Sequence, residues 1–137
     1  MGDVVEVRTT WAHALAWRLE RQLLSPIGFA SAGSTSVGDV VRRLGAVLAM
    51  DESLAELAVG ARRASSHAGD LASALAAGEV IKAFAFRGAV HYLSPEDGGT
   101  YLALRCAGRQ WELKSWVEFY RLSPADWPDF RRRCVWR

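Results

Sequence analysis

The residues best equipped for chemistry in this chain are cations: Arg42 and Arg43 in DVVRRLG, and Lys82 and Arg87 in VIKAFAFRGAVHYL. Arginine and lysine on helix faces and turn tips are standard donors to phosphate oxygens. His91, in the second segment, completes this candidate set, although a lone histidine on a strand more often serves the structure. Arg62 and Arg63 are also adjacent, but at the end of a helix they suit its dipole without any ligand. Asp51 and Glu52 are neighbouring carboxylates that would project about 100° apart on a helix. They do not form an acid/base pair, and helix capping accounts for them better. Cys106 and Cys134 stand alone, with neither C-x-x-C spacing nor paired histidines beside them. Reduced thiols are the simple reading, with no metal, no cofactor and no catalytic residue expected.

Composition sets the bounds on a partner. A net charge of +2 and a pI near 8.8 permit a polyanion but do not demand one. Half the residues are hydrophobic and 23% are charged, which suits a soluble domain with a real core. No apolar run approaches the roughly 18–20 residues of a membrane span. The opening MGDVVEVRTT carries no signal-peptide core, and a cytoplasmic protein is expected.

The elements that must position the cations can be read from periodicity. Residues 80–93 predict a β-hairpin about Arg87-Gly88, with Lys82, Phe84 and Phe86 on one face of the first arm. It is expected to be the only sheet, with helices covering its aromatic face. Leu15, Leu19, Gln22 and Leu23 give a helical stripe over Trp11–Leu24, followed by a Gly/Ser loop at Ser25–Ser36. Ser36 and Asp39 resemble a capping box for a helix whose stripe is Val37, Val40, Val41, Leu44, Val47 and Leu48. That helix should bend or end near Met50-Asp51, where a second pattern restarts at Leu54. A third helix spans about His67 to Ala77, capped by Ser66 or His67. Ser94-Pro95-Glu96-Asp97 is a strong helix start, weakened by about 1 kcal/mol for each of Gly98 and Gly99. Ser123-Pro124-Ala125-Asp126 repeats the signal. The segment HAGDLASALAAG offers no Arg, Lys, Asn or Gln for reading bases, so any nucleic-acid contact should be backbone-dominated.

Helices followed by a hairpin outline a winged helix. The segments RLERQLL (18–24), DVVRRLGAVLAMDESLAELAVGAR (39–62) and DLASALAAGEVIKAFAFRGAVHYLSPED (70–97), with the following YLALR, resemble a bacterial winged-helix DNA-binding family. That family includes glycosylases that unhook DNA interstrand crosslinks. The resemblance implies a mainly α fold with one β-hairpin: a winged helix-turn-helix plus two C-terminal helices. It implies a winged-helix domain over 1–105 and the helical start of an incomplete second unit over 106–137. The family's catalytic signature, Gln-x-Gln or Gln-x-Asp, falls by resemblance on Leu48 and Met50, neither of which can hydrogen-bond or position a water. Its usual hairpin Thr is Ala89 here. The expected function is therefore a non-catalytic DNA-binding protein that holds duplex phosphates through Arg42, Arg43, Lys82, Arg87 and His91. A glycosylase relying on Asp51 and His91 and a protein-interaction or remnant domain are the alternatives. A homodimer through the C-terminal helices is also expected, with Trp116, Trp127, Val135 and Trp136 short of partners.

Overall fold

The computed structural model describes residues 8–24 and 35–133. The chain divides into two compact units, Met1–Gly99 and Thr100–Arg137. The first contains α1 (Trp11–Arg21), α2 (Val37–Leu44), β1 (Val47–Leu48), α3 (Glu52–Gly60), α4 (Asp70–Ala76), β2 (Ile81–Phe84) and β3 (Val90–Leu93). Helix α5 runs Pro95–Ala107, and α6 (Lys114–Tyr120) and α7 (Trp127–Arg133) follow. Among the described residues, no helix is long and apolar enough to cross a membrane. Val135, Trp136 and Cys134, and the loop expected at Ser25–Ser36 up to residue 34, lie outside the described residues.

Capping chemistry fixes the helix starts where the sequence places it. Ser36 Oγ accepts from Asp39 N–H at 3.0 Å, and Asp39 returns a carboxylate to Ser36 N–H at 3.2 Å. Asp51 caps α3 by accepting from Leu54 N–H at 3.0 Å. Ser94 is buried and accepts from Asp97 N–H at 3.2 Å. The third helix departs from expectation: it begins at Asp70, behind Gly69 in the left-handed region, and is not capped by Ser66 or His67. Asp70 instead accepts from His67 N–H at 3.0 Å, so the residues before the helix form a turn closed by its first side chain.

Further expectations are corrected. Helix α2 stops at Leu44, where Gly45 (φ 81) turns the chain out, and the residues expected to prolong it become a strand. Val47 and Leu48 pair antiparallel with Tyr92 and His91, so the hairpin is the core of a three-stranded sheet of order β1-β3-β2. Along an extended chain, side chains alternate faces. Val47 and Ala49 are consequently buried while Leu48 and Met50 are 54% and 69% exposed. Leu48 therefore does not continue the apolar stripe of α2. The aromatic face of the first arm is also not fully covered: the core packs on Val47 and Tyr92 of the same face, while Phe84 on the outer strand and Phe86 in the turn stay exposed. Finally, Leu15 and Leu19 of α1 stay exposed, and that segment reaches the core only through Leu23.

The core of the first unit joins Val37, Val40 and Val41 of α2 to Ala55 and Val59 of α3, Leu71 and Ala74 of α4, and Val47, Val80 and Tyr92 of the sheet and its approach. Full burial of each Val or Leu contributes about 1.5–3 kcal/mol, enough to hold three short helices that would be marginal alone. On the opposite face of the sheet, Ile81 and Leu93 meet Gly98 of α5: a Cβ placed there would stand 2.5 Å from Ile81 Cδ1. Gly98 is thus a close-approach position, and its low helix propensity is offset by that packing.

Candidate nucleic-acid interface

The tip of the hairpin is a tight turn closed by Ala89 N–H donating to Phe86 C=O at 3.1 Å. Arg87 (φ 50, ψ 23) and Gly88 (φ 76) both take left-handed backbone, the pair of conformations that a two-residue hairpin turn requires. Gly88 adopts this freely; Arg87 does so against its Cβ. The arms leave Arg87 projecting at the tip, exposed. Among the described residues its guanidinium has no hydrogen bond or ion pair.

The other expected phosphate contacts are held within the protein. Lys82 Nζ lies 2.7 Å from Glu52 Oε1 and 5.5 Å from the centre of the Tyr92 ring. The hydrogen bond to Glu52 raises the Lys82 pKa above its ordinary value, so the ammonium stays charged. Arg42 reaches Asp39 at 3.5 Å and Glu96 at 3.3 Å. The Glu96 carboxyl is held below the usual range, first by its own backbone N–H and then by Arg42. Arg43 Nε donates to Arg21 C=O at 3.0 Å, clipping α2 to the end of α1. Arg62 and Arg63 act in the same way: Arg62 donates to Gln22 and Ala58 carbonyls, and Arg63 to Thr35 C=O and to Asp70 at 2.5 Å. Arg62 thus serves the C-terminal end of α3 through the Ala58 carbonyl, as expected, and both arginines also cross-link segments.

His91 occupies the central strand, in register with Leu48 of β1 on one side and Ala83 of β2 on the other. Its Nδ1 is 3.0 Å from Ala89 C=O, and its half-buried ring meets the Phe86 ring edge-on with centroids 5.4 Å apart. Leu48 and His91 are therefore neighbours across the sheet, and the His91 ring leads on to Phe86 in the turn and so to Arg87. Met50 lies two residues beyond Leu48 on the same outward alternation. This apolar row was not legible in the sequence, because Leu48 reads as helical core until β1 is known to pair with β3. Asp51, the other alternative catalytic candidate, is committed to capping α3. Among the described residues, no group of three His, Cys, Asp or Glu side chains is placed to hold a metal ion.

In the second unit, a groove of about 690 Å³ is lined by Trp111, Trp127, Phe130, Arg109 and Arg131, among others. Arg109 pairs with Glu112, and Trp127 Nε1 is buried without a hydrogen-bond partner among the described residues. Phe119, Tyr120 and Leu113 are exposed on or beside α6, and Leu104 on α5.

Comparison with known proteins places this geometry. The family model described as DNA glycosylase AlkZ-like matches residues 41–133. An interstrand DNA cross-link repair glycosylase from Streptomyces sahachiroi is 33% identical over 118 residues, which cover 86% of this chain and 30% of that protein. The solved structure of the Streptomyces sahachiroi DNA glycosylase AlkZ superposes with a TM-score of 0.79 at 31% identity, covering 93% of this chain and 33% of that one. The chain thus spans about a third of the length of these relatives.

Proposed function

This chain belongs to the AlkZ-like DNA glycosylase family, and from that premise we propose that it is a DNA-binding winged-helix module that holds duplex phosphates without cleaving a glycosidic bond. The observation that carries the reading is Arg87. It is the member of the expected set that stands at a hairpin tip with its charge uncommitted among the described residues. Arg42 and Lys82 are paired with carboxylates and Arg43 with a carbonyl, and His91 supports the tip through the Phe86 ring. With no cationic or amide side chain on α4, the contact is to the backbone and of low sequence specificity.

The absence of cleavage rests on Leu48 and Met50. Glycosidic cleavage needs a polar group near the extruded nucleotide to activate water or stabilise the developing sugar cation. The two positions that match the family motif by resemblance carry side chains without a hydrogen-bonding donor. The test has two parts. Duplex titrations at two salt concentrations should show affinity that falls steeply with salt, as counterion release demands. Incubation with N7-alkylated and crosslinked duplexes should leave no abasic sites. Family membership favours the rival reading of an active glycosylase. Base release that survives Leu48→Ala and Met50→Ala but is abolished by Asp51→Asn or His91→Ala would establish it. Self-association is a second partner proposal, supported by the exposed aromatic rings of α6.

A further inference from the structure

Leu48, at the end of β1, and Met50, two residues beyond it, are large apolar side chains, each more than half exposed. They do not stand alone. Leu48 is in register with His91, the His91 ring meets Phe86, and Phe86 precedes the uncommitted Arg87. The result is a row of Leu, imidazole and phenyl groups, flanked by Met50 and ending in a cation. The charges around it are neutralised or used: Glu52 pairs with Lys82, and Asp51 caps α3.

Resting on the DNA-binding reading above, we infer that this row is an apolar wedge for an unstacked base step, with Arg87 holding the adjacent phosphate. The occupant is therefore duplex DNA that is already distorted, by a mismatch or a missing base. Leu, Met and Phe are the side chain types that proteins insert between base pairs, and inserting them costs a few kcal/mol of lost stacking in an intact duplex. A defect has already lost part of that stacking, so it is bound in preference. Charge complementarity favours DNA over a second copy of this chain. A two-fold contact centred on Phe86 would set one Arg87 against the other, and like charges at a contact are unfavourable. Where the motif by resemblance would supply hydrogen bonds to water, this chain supplies surface for stacking.

The full chain is titrated against three duplexes of one sequence: intact, with a single mismatch, and with one abasic-site analogue beside 2-aminopurine. The wedge predicts about tenfold tighter binding to the defective duplexes. It also predicts a rise in 2-aminopurine fluorescence on binding as the base leaves the stack. Leu48→Ala with Met50→Ala should bring the preference to near unity and abolish the fluorescence rise, while salt-dependent binding to the intact duplex persists. Both residues are exposed, so the fold should tolerate the change, and an unchanged circular-dichroism melt confirms it. Equal affinity for all three duplexes in the wild-type chain, with normal salt dependence, overturns the wedge and leaves the DNA-binding reading standing. No binding to any duplex overturns both. If sedimentation without DNA shows a dimer that Leu48→Ala dissociates, the row is a self-contact and the wedge is wrong.

Discussion

Replacing Arg87 separates charge from backbone at one position. Each phosphate neutralised by a cation adds about −0.9 to the slope of log K against log salt on B-form DNA. Removing one such contact should flatten the slope by about that amount. Between 50 and 200 mM salt, the wild-type chain should then lose about 3.5-fold more affinity than Arg87→Ala does. The turn complicates a single substitution, since Arg87 sits at φ 50, where an L-residue carries about 1–2 kcal/mol of strain. Arg87→Gly removes the charge and relieves the strain together. If the hairpin's stability were what governed binding, the glycine variant would bind at least as well as wild type. If the charge governs it, Arg87→Gly and Arg87→Ala should weaken binding alike, Arg87→Lys should retain most of it, and only the glycine variant should melt higher. Fluorescence anisotropy on two unrelated duplex sequences at four salt concentrations gives the slopes, and calorimetry gives the melting temperatures. Unchanged affinity and slope in Arg87→Ala would refute the assignment of the tip to DNA.

The neighbouring glycines of α5 should respond in opposite directions. Gly98→Ala forces a Cβ against Ile81 Cδ1 and should destabilise by about 1–3 kcal/mol. Gly99→Ala meets nothing within 4 Å and should gain up to about 1 kcal/mol of helix propensity in a urea titration. The Asp70 carboxyl is held below its ordinary range, first by His67 N–H and then by Arg63. Its contribution is therefore complete above the ordinary carboxylate range and is lost as pH falls through the lowered folded value. Melting curves from pH 6 down to pH 2 should show a shallower acid loss in Asp70→Asn than in wild type. Sedimentation at tens of micromolar should show concentration-dependent association that Phe119→Ser weakens; a clean monomer would remove the α6 contact.

Features that depend on a few consecutive residues are legible in the sequence. Capping boxes at Ser36 and Ser123, the Asp51 cap, the Ser94-Pro95 start and the Arg87-Gly88 turn are local hydrogen-bond chemistry, and all are found where the pattern puts them. The apolar stripe of Val37, Val40 and Val41 likewise announces its burial through helical spacing. Which partner each surface meets is settled by the assembled fold. Val47-Leu48 reads as helix because its apolar spacing continues α2, but pairing with β3, 43 to 45 residues on in register, makes it a strand and turns Leu48 outward. The arginines look equivalent as sequence, yet Arg42 pairs with Asp39 and Glu96 and Arg43 with the Arg21 carbonyl, while Arg87 stands at a hairpin tip without such a partner among the described residues. A long-range pairing is set by packing free energy summed over the whole core, and no window of neighbouring residues contains that sum.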